Sequence, residues 1–428
     1  MKTVCVVGLG YIGLPTAAVI ASRGAVVIGL DIDQDVVDTV NSGEIHIEEP
    51  HLRDLVKLVV EAGRLSATVA PVPADVFLIA VPTPLTEKKG ADLRAVKSAA
   101  SVVASVLKKG DLVVLESTSP PGTTEGIVQL ILEETGLVAG LDFHLAYSPE
   151  RVLPGKIIRE LQENDRVVGG IDEESTRVAA EFYRTFVDGD VMETTARTAE
   201  AVKLMENTYR DINIALANEF ALVAEEIGVD VWEAVRLANF HPRVNILQPG
   251  PGVGGHCIAV DPHFLAEAAP AQARLIALSR EINDSMPDYA ASLVSELTPL
   301  AGRVACLGLA FKPDVDDLRE SPAMEVVRKL IDRGFDVVTY DPYAVAEEFA
   351  SAPSLAEAVA NADTVVHLVH HRQFKKLEPI DFSAMKGRAI VDCHGTWDAA
   401  AFHEEGFTVR TLGVGTVASK LTLQEQAA

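Results

Sequence analysis

Apolar and polar residues follow two different spacings along the first part of the chain. Short apolar runs, the pattern of buried strands, lie at residues 3–8, 25–31, 75–82, 111–118 and 166–171. The stretches between them, for example residues 93–110, have the spacing of helices. Strands that alternate with helices in this way predict a parallel sheet wrapped by helices, the doubly wound α/β class.

The pattern changes near residue 195, where a long helix is predicted. Residues Arg197 to Glu226 contain no Gly or Pro and keep a helical apolar period. At 1.5 Å per residue the segment spans roughly 45 Å, which exceeds an ordinary domain helix. We therefore expect it to link two domains and to offer a dimer surface. A further helical stretch at 228–240 follows, and then a glycine-rich loop.

Strand and helix patterns resume at Arg303. The apolar runs lie at residues 303–311, 335–341, 363–370, 389–393 and 407–413. They predict a second α/β sheet, and only about the last eight residues are expected to fray. We divide the chain into three predicted domains, 1–195, 196–300 and 301–428.

The first strand leads into a glycine pattern that is typical of dinucleotide binding. Gly8, Gly10 and Gly13 have the G-x-G-x-x-G spacing, directly after a strand and at the start of a helix. The first glycine permits the tight turn, the second the approach of a pyrophosphate, and the third close helix–strand packing. Asp31 ends the second strand, where a carboxylate binds the adenosine ribose. No Arg follows closely, so the motif favours NAD over NADP in a Rossmann domain; a glycine turn without a ligand is the alternative. The second sheet lacks this motif.

The net charge and the cysteine count narrow the class of protein. A formal net charge of −25 argues against nucleic-acid binding, which depends on basic patches. Four cysteines without metal-type or disulfide-type spacing indicate a reducing compartment. No apolar stretch reaches the ~18 residues of a membrane span. The apolar N-terminus lacks a signal-peptide cleavage motif and has the pattern of a buried strand, so we expect a cytoplasmic protein.

One cysteine differs from the other three in its surroundings. Cys5, Cys306 and Cys393 lie in apolar strand patterns, where cysteine acts as a small buried hydrophobe. Cys257 lies in the segment GPGVGGHCIAVDP, after glycines that let a backbone approach a ligand closely. A helix that begins near Asp261 would lower the pKa of the thiol. We therefore favour a nucleophilic Cys257 over an inert thiol.

Two other polar patterns have both a functional and a structural interpretation. Lys203, Asn207 and Arg210 share one face of the long helix, which suits either an active site or a solvated stripe, and the residues alone leave this undecided. A histidine group has no carboxylate or cysteine at ligand spacing, so no metal is expected there. Its members are His367, His370 and His371.

Together these features resemble the UDP-glucose/GDP-mannose dehydrogenase family over essentially the whole chain. The resemblance rests on the stretches NSGEIHIEEPHL, SPERVLPG, NDRVVGG, HPRVNILQPGPGVGGHCIAVDP and FKPDVDDLRESP. These stretches are most similar to the branch that oxidises UDP-N-acetyl-D-mannosamine at C6. The family implies an NAD-binding Rossmann domain for 1–195, a central helical domain with the cysteine loop for 196–300, and a Rossmann-like UDP-sugar-binding domain for 301–428. It also implies a homodimer through the central helix, with a higher homo-oligomer as the alternative, and a role in polysaccharide biosynthesis.

The resemblance further implies that one nucleotide sugar is oxidised twice. The C6 alcohol gives a hydride to NAD and becomes an aldehyde, which the thiolate of Cys257 attacks. The thiohemiacetal gives a second hydride to a second NAD, and hydrolysis of the thioester releases the acid. Lys203 and Asn207 match the pair that stabilises the oxyanion. Asp261 matches the carboxylate that works with Lys203 in proton transfer, and Glu150 matches the base of the hydrolysis.

Further positions match ligand contacts of the family. Besides Gly8, Gly10 and Gly13, those expected at NAD are Tyr11, Ile12, Asp31, Thr83, Thr118 and Arg319, of which Thr118 is expected near the nicotinamide. Besides Glu150, Lys203 and Asn207, those expected at the sugar nucleotide are Arg151, Val152, Arg210, His241, Arg243, Gly254, Phe311 and Lys312. Among these, Arg243 is the residue most expected to reach a second subunit.

Three departures from the UDP-glucose branch bear on the sugar. Val260 stands where that branch has a lysine, Pro154 where it has a second glutamate, and His256 where it has a small residue. These changes suit an N-acetylated hexosamine and make UDP-glucose the poorer candidate. Because UDP-N-acetylglucosamine dehydrogenases share the sequence GGHC, the configuration at C2 stays open between mannosamine and glucosamine.

Two functions of other kinds are alternatives. A one-step β-hydroxyacid dehydrogenase also combines a Rossmann domain with a lysine and an asparagine on a long helix, but it lacks the cysteine loop and the third domain. The second alternative is a catalytically inactive NAD-binding regulator. The presence of Cys257, Lys203, Asn207 and Asp261 together argues against it.

Overall fold

In a computed structural model the chain forms two compact units, and the structure describes residues 2–153, 155–255 and 257–415. The first unit comprises Met1–Glu206 and His263–Pro270, and the second comprises Asn207–Pro262 and Ala271–Ala428. Pro154, His256 and the C-terminal residues that were expected to fray lie outside the described residues.

The first unit is built on an eight-stranded sheet. Its strands are β1 (Thr3–Val7), β2 (Val26–Leu30), β3 (Leu65–Thr68), β4 (Val76–Ile79), β5 (Leu112–Leu115), β6 (His144–Tyr147), β7 (Arg166–Gly170) and β8 (Val191–Thr195). They lie in the order β3-β2-β1-β4-β5-β6-β7-β8, and β1 to β6 are parallel. The order reverses between β1 and β4, which confirms the predicted doubly wound class.

Helices cover this sheet and follow the predicted alternation. They are α1 (Gly13–Ser22), α2 (Gln34–Asn41), α3 (Leu52–Glu61), α4 (Arg94–Ala104), α5 (Gln129–Glu133), α6 (Ile157–Glu163) and α7 (Glu173–Tyr183), with a π-helical turn at Thr124–Val128 before α5. On one face of β1, Val4 and Val6 pack in an apolar layer with α1, α3 and α7. On the other face, Cys5 and Val7 pack in a layer with α4 and α5. Successive residues of a strand point to opposite faces, so a strand covered on both faces is apolar throughout.

The direction expected for β7 is wrong. β7 pairs antiparallel with β6, with Ala146 opposite Gly170 and Tyr147 opposite Gly169, while β8 pairs parallel with β7. After the short helix α6 the chain is still at the edge of the sheet where β6 ended. β7 therefore starts at that edge and runs antiparallel to β6. Arg166, the first residue of β7, therefore lies at the carboxyl edge of the parallel strands.

The second unit contains a parallel sheet of five strands. They are β9 (Arg303–Leu307), β10 (Asp336–Tyr340), β11 (Thr364–His367), β12 (Ala389–Asp392) and β13 (Thr408–Thr411), in the order β10-β9-β11-β12-β13. The remaining helices of the chain are α8 (Ala196–Ile227), α9 (Val231–Ala238), α10 (Asp261–Ala268), α11 (Arg274–Leu297), α12 (Pro322–Asp332), α13 (Leu355–Val359) and α14 (Ala399–Glu404). Single 3₁₀ turns lie at Phe374–Lys376 and Pro379–Phe382. α8 confirms the predicted long helix, and both α8 and α10 contribute residues to each unit.

The second sheet repeats the turn of the first sheet but closes it internally. Gly308 turns the chain after β9 with a φ of 90°, and Oδ2 of Asp341, after β10, accepts a hydrogen bond from the N–H of Leu309 at 2.6 Å. Asp341 is the counterpart of Asp31, but it is buried, and Oδ2 also bonds Nε2 of His371 at 3.0 Å. This carboxylate is thus bonded to the protein's own His371, in a turn whose sequence lacks the G-x-G-x-x-G motif.

His367 of the second unit has structural partners. Nδ1 of the buried His367 lies 3.0 Å from Oδ1 of Asp392, and its ring stacks on Trp397 at 4.4 Å. Within the described ranges no group of three or more His, Cys, Asp or Glu side chains is arranged to hold a metal ion. In the same part of the chain, no helix combines the length and apolar character that crossing a membrane requires.

Candidate active site

The loop between β1 and α1 has the geometry that its glycines predict. Gly8 has a φ of 92°, and a Cβ there would lie 2.7 Å from the carbonyl oxygen of Ala80. A Cβ on Gly13 would lie 1.8 Å from the carbonyl oxygen of Gly8, so only glycine lets α1 pack this closely. A Cβ on Gly10 would meet no atom within 4 Å. Open space therefore lies where a pyrophosphate approaches the turn.

Asp31 is held beside this turn. Its Oδ2 accepts a hydrogen bond from the N–H of Leu9 at 2.8 Å, and its Oδ1 accepts one from the N–H of Asp33 at 3.1 Å. Among the residues that the structure describes, no side chain caps the N-terminus of α1, where Tyr11 and Ile12 lie. The positive end of a helix dipole favours a diphosphate, and a carboxylate at the end of β2 favours a ribose diol. The arrangement fits the adenosine diphosphate half of NAD.

Two further predicted cofactor residues bond to each other. Oγ1 of Thr83, after β4, donates a hydrogen bond to the carbonyl oxygen of Thr118, after β5, at 2.7 Å. Since β4 and β5 are parallel neighbours, both threonines lie at the carboxyl edge of the sheet. This is the edge at which open α/β sheets bind their ligands.

Glu150 lies in a buried charged cluster at the same edge. Its Oε2 lies 2.7 Å from Nη2 of Arg166, and its Oε1 accepts a hydrogen bond from the N–H of Arg151 at 2.7 Å. The hydroxyl of Tyr183 donates to Oε1 of Glu116 at 2.5 Å. Burial raises the pKa of Glu116 to about 7; Arg166 opposes this shift and Glu150 adds to it. A single arginine thus faces two buried carboxyl groups, and one of them binds a proton near neutral pH.

The two residues after Glu150 are held by the first unit itself. Nη1 of Arg151 forms an ion pair with Glu206 at 2.8 Å, and Nη2 donates a hydrogen bond to the carbonyl oxygen of Asp165. Val152 is half-buried against the apolar layer of α1. Arg151 therefore ties the segment that carries Glu150 to Glu206 on α8 and to Asp165, the residue directly before β7.

Asn207 and Asp261 are brought together in the second unit. Nδ2 of Asn207 donates a hydrogen bond to Oδ2 of Asp261 at 2.5 Å. Asp261 is buried at the start of α10, and its N–H donates to the carbonyl oxygen of Cys257 at 2.9 Å. Lys203, half-buried, precedes Asn207 by one turn of α8. Because Asn207 is bonded to Asp261, this face of α8 is better interpreted as part of an active site than as a solvated polar stripe.

The four cysteines differ in exposure as their sequence contexts predict. Cys257 is exposed, and the other three are buried. Burial raises the pKa of Cys5 to about 12, and it raises the pKa values of Cys306 and Cys393 further above their usual range. α10 begins at Asp261, which confirms the helix predicted after Cys257.

The glycines before Cys257 approach the protein's own chain. Gly252 has a φ of 134°, and a Cβ there would lie 2.8 Å from Cβ of Pro322. A Cβ on Gly254 would lie 2.6 Å from Cδ of Pro322, and one on Gly255 would lie 2.9 Å from the ring of Phe311. The close approach that the sequence attributed to a ligand is therefore made by this loop to the segments around β9 and α12.

The remaining predicted substrate and cofactor residues are half-buried or exposed. Nζ of Lys312 lies 5.5 Å from the centroid of the Phe311 ring, and Arg319 forms an ion pair with Asp317 at 2.7 Å. The exposed ones are Arg210, His241, Arg243 and Arg319.

Sequence reasoning missed two members of the cluster around Glu150. Glu116 follows the apolar run of β5, and Arg166 precedes the apolar run of β7. A charged residue directly beside a buried strand was the available signal. It could not identify the partner, because the meeting of these side chains depends on the reversal of β7.

Sequence profiles of one family match the chain in three successive pieces. In the UDP-glucose/GDP-mannose dehydrogenase family, the NAD binding domain matches residues 2–187, the central domain residues 197–285 and the UDP binding domain residues 305–399.

Relatives of similar length agree with this match. An NDP-N-acetyl-D-galactosaminuronic acid dehydrogenase of Ralstonia solanacearum is 49% identical over 412 residues, which cover 93% of this chain and 97% of the relative. A UDP-N-acetyl-D-mannosamine dehydrogenase of Methanocaldococcus jannaschii is 47% identical over 422 residues, 97% of each chain. The solved structure of a UDP-D-ManNAc dehydrogenase from Pyrococcus horikoshii is similar with a TM-score of 0.90 at 43% identity, and the match covers 96% of this chain and 99% of that one.

Proposed function

The chain belongs to the UDP-glucose/GDP-mannose dehydrogenase family and is an NAD-dependent UDP-sugar dehydrogenase. We propose that it oxidises UDP-N-acetyl-D-mannosamine at C6 to UDP-N-acetyl-D-mannosaminuronate, with two NAD per sugar and Cys257 as the nucleophile. The observation that carries this proposal is an exposed cysteine one turn before Asp261, whose carboxylate is bonded to Asn207.

The first unit would hold NAD at the turn of Gly8, Gly10 and Gly13, at Asp31 and at Thr83, with Thr118 near the nicotinamide. NAD bound there would supply the hydride acceptor for both oxidations. In the first oxidation, Lys203 and Asp261 remove the proton of the C6 hydroxyl. Asn207 keeps one N–H on Asp261 and has a second N–H for the oxygen on C6.

Cys257 retains the aldehyde for the second oxidation. Its thiolate adds to the carbonyl carbon, and the oxygen takes a proton, which gives a thiohemiacetal. This carbon again has a hydrogen that leaves as hydride, and the product is a thioester. Glu150 then removes a proton from water, which attacks the thioester and restores the thiol. One alcohol, two NAD⁺ and one water become one carboxylate, two NADH and three protons.

The acetamido group is the feature on which we base the choice of sugar. The relatives described above are all named for the oxidation of an N-acetylated amino sugar. Val260 is buried where the UDP-glucose branch has a lysine, while the two other departures, Pro154 and His256, lie outside the described residues. UDP-N-acetylglucosamine is the next candidate and UDP-glucose the one after it.

Assembly and location complete the proposal. Exposed apolar side chains recur along α8 at steps of seven, four, three and four residues: Tyr209, Leu216, Phe220, Val223 and Ile227. Such a stripe suits a homodimer through the central helix, and exposed Arg243 is the residue we assign to the neighbouring subunit's site.

We keep the three-domain division 1–195, 196–300 and 301–428, and we place the enzyme in the cytoplasm, where an exposed thiol stays reduced and NAD is available. A uronic acid product suits polysaccharide biosynthesis.

The test is turnover of four nucleotide sugars by the purified protein. We expect two NADH per UDP-N-acetylmannosamine, lower kcat/KM for its glucosamine and galactosamine counterparts, and a kcat/KM for UDP-glucose lower by ~10⁴, because a site built to bond one polar group rejects analogues without it. One NADH and a stable aldehyde would favour the one-step dehydrogenase. Efficient turnover of UDP-glucose would overturn the choice of sugar and leave the two-step chemistry intact, and no turnover of any sugar would favour the regulator.

A further inference from the structure

A chain of buried polar groups joins α8 and α11 to the loop that carries Cys257. Oδ1 of Asn218 accepts a hydrogen bond from the N–H of Gly250 at 2.9 Å, and Nδ2 of Asn218 donates to Oδ1 of Asn283 at 2.8 Å. Nδ2 of Asn283 donates to Oδ1 of Asp211 at 2.8 Å, and Nη1 of Arg280 donates to the same oxygen at 2.5 Å. None of these four residues is more than 5% exposed. A buried polar chain of this length connects the interior of the second unit to the loop.

The two ends of this chain determine how the amides are oriented. The backbone of Gly250 offers a donor, and the carboxylate of Asp211 offers only acceptors. An amide turned the other way would place two donors or two acceptors against each other and leave buried polar groups without a hydrogen bond, which is unfavourable. Asn218 and Asn283 therefore have one satisfied arrangement, which ends on Gly250.

α8 contacts the cysteine loop on both sides of Cys257. Asn207 and Asn218 are separated by three helical turns and share one face of α8, about 16 Å apart along its axis. Asn207 bonds Asp261, which follows Cys257, and Asn218 bonds Gly250, which precedes it. The helix thus spaces the two ends of the loop.

The segment after Gly250 is also packed tightly. A Cβ on Gly252 would lie 3.4 Å from the carbonyl oxygen of Asn283, as well as within 2.8 Å of Pro322. Loss of the Asn218 bond would release the one end of the loop that is tied to α8 before the nucleophile.

We infer that Asn218 is a positioning residue for Cys257, and that it sets the rate at which the thiol captures the aldehyde without acting on the first oxidation. The inference rests on the proposed role of Cys257. A misplacement of about 1 Å in a reacting group costs up to ~100-fold in rate, so removal of the anchor should be visible in the second hydride transfer.

The first test is a single turnover of Asn218→Ala with UDP-N-acetylmannosamine, in which the two NADH are resolved in time. We expect the first NADH to form as in the wild type and the second to form ~10–100-fold more slowly, with aldehyde trapped by hydroxylamine in between. The matched control is Thr298→Val. It removes buried hydrogen bonds of the same unit, to Thr364 and to the carbonyl oxygen of Val294, and should slow neither step.

Asn218→Asp gives an independent test in case Asn218→Ala does not fold. A neutral aspartic acid has a donor for Asn283 and an acceptor for Gly250, like the native amide, whereas an ionised one has no donor. The second step of Asn218→Asp should therefore recover toward the wild-type rate as the pH falls. A merely structural defect would not follow this dependence.

The outcomes separate the inference from the proposed function. If Asn218→Ala slows both steps equally or matches Thr298→Val, or if Asn218→Asp keeps the wild-type pH profile, Asn218 does not position the nucleophile. If Cys257→Ser still yields two NADH, the proposed function fails first, whatever Asn218 does.

Discussion

Nδ2 of Asn207 donates a hydrogen bond to Oδ2 of Asp261 at 2.5 Å, although 54 residues separate them in the chain. The bond fixes the rotation of the amide, because a carboxylate accepts hydrogen bonds but does not donate them. It also joins the middle of α8 to the start of α10, one turn after Cys257. Two proposed catalytic residues are thereby held together beside the nucleophile.

Asn207→Ala should lower kcat by ~10²–10³, the cost of losing one donor to a developing oxyanion. The matched control is Asn213→Ala on the same helix, since Nδ2 of Asn213 donates to the carbonyl oxygen of Tyr209 within α8. Steady-state kinetics with UDP-N-acetylmannosamine measures both. Equal effects of the two substitutions would remove Asn207 from the site.

Cys257→Ser should stop the reaction after the first oxidation, because a serine alkoxide forms at much higher pH than a thiolate. NADH per sugar should fall from two to one. Cys306→Ser, which changes a fully buried thiol, should reduce stability and keep the yield at two. Two NADH from Cys257→Ser would contradict the interpretation of the loop.

Gly10→Ala and Gly13→Ala should separate cofactor binding from folding. The added methyl group of Gly10→Ala enters open space, so the melting temperature should hold while the KM for NAD rises. In Gly13→Ala the methyl group would overlap the carbonyl oxygen of Gly8, so the free energy of unfolding should fall by about 3 kcal/mol. Thermal melts with and without NAD check both, and a Gly10→Ala variant with unchanged KM would argue against the assigned pyrophosphate position.

Glu116→Gln should change how stability depends on pH. The pKa of Glu116 is raised from 4.5 to about 7 in the folded protein, so its contribution is fully present below the unfolded value and is lost as the pH rises through about 7. The free energy of unfolding of the wild type should therefore fall by up to roughly 3 kcal/mol as the pH rises from 4.5 to about 7. Glu116→Gln should not show this fall. Urea unfolding between pH 5 and 8 measures it. The control is Glu219→Gln, an exposed change that should keep the wild-type slope.

Leu216→Glu combined with Val223→Glu should convert the protein to a monomer. Both side chains belong to the exposed stripe of α8, and two buried, unpaired charges at a dimer interface would be costly. Sedimentation velocity reports the mass directly. Glu233→Arg on α9 introduces a comparable charge change outside the stripe and should leave the dimer intact. A wild-type monomer at micromolar concentration would exclude this interface.

The sequence by itself determined the features that depend on local spacing. The period of apolar residues predicted most strands and the long α8, because a strand or helix must turn its apolar side chains toward a core. The glycine turn and Asp31 followed from backbone sterics within one β–α unit. The contrast between Cys257 and the buried cysteines followed from their immediate neighbours.

Only the tertiary structure decided which distant groups meet. The apolar run of β7 has the same pattern in either direction, so its reversal, and with it the Arg166–Glu150 pair, could not be read from it. Glu200 caps the turn at Thr124 from 76 residues away, and Asn218 reaches Gly250 across 32 residues. Side-chain period encodes which face of an element is buried, but it does not encode the partner of a polar group. That partner is set by how elements remote in the chain pack against each other.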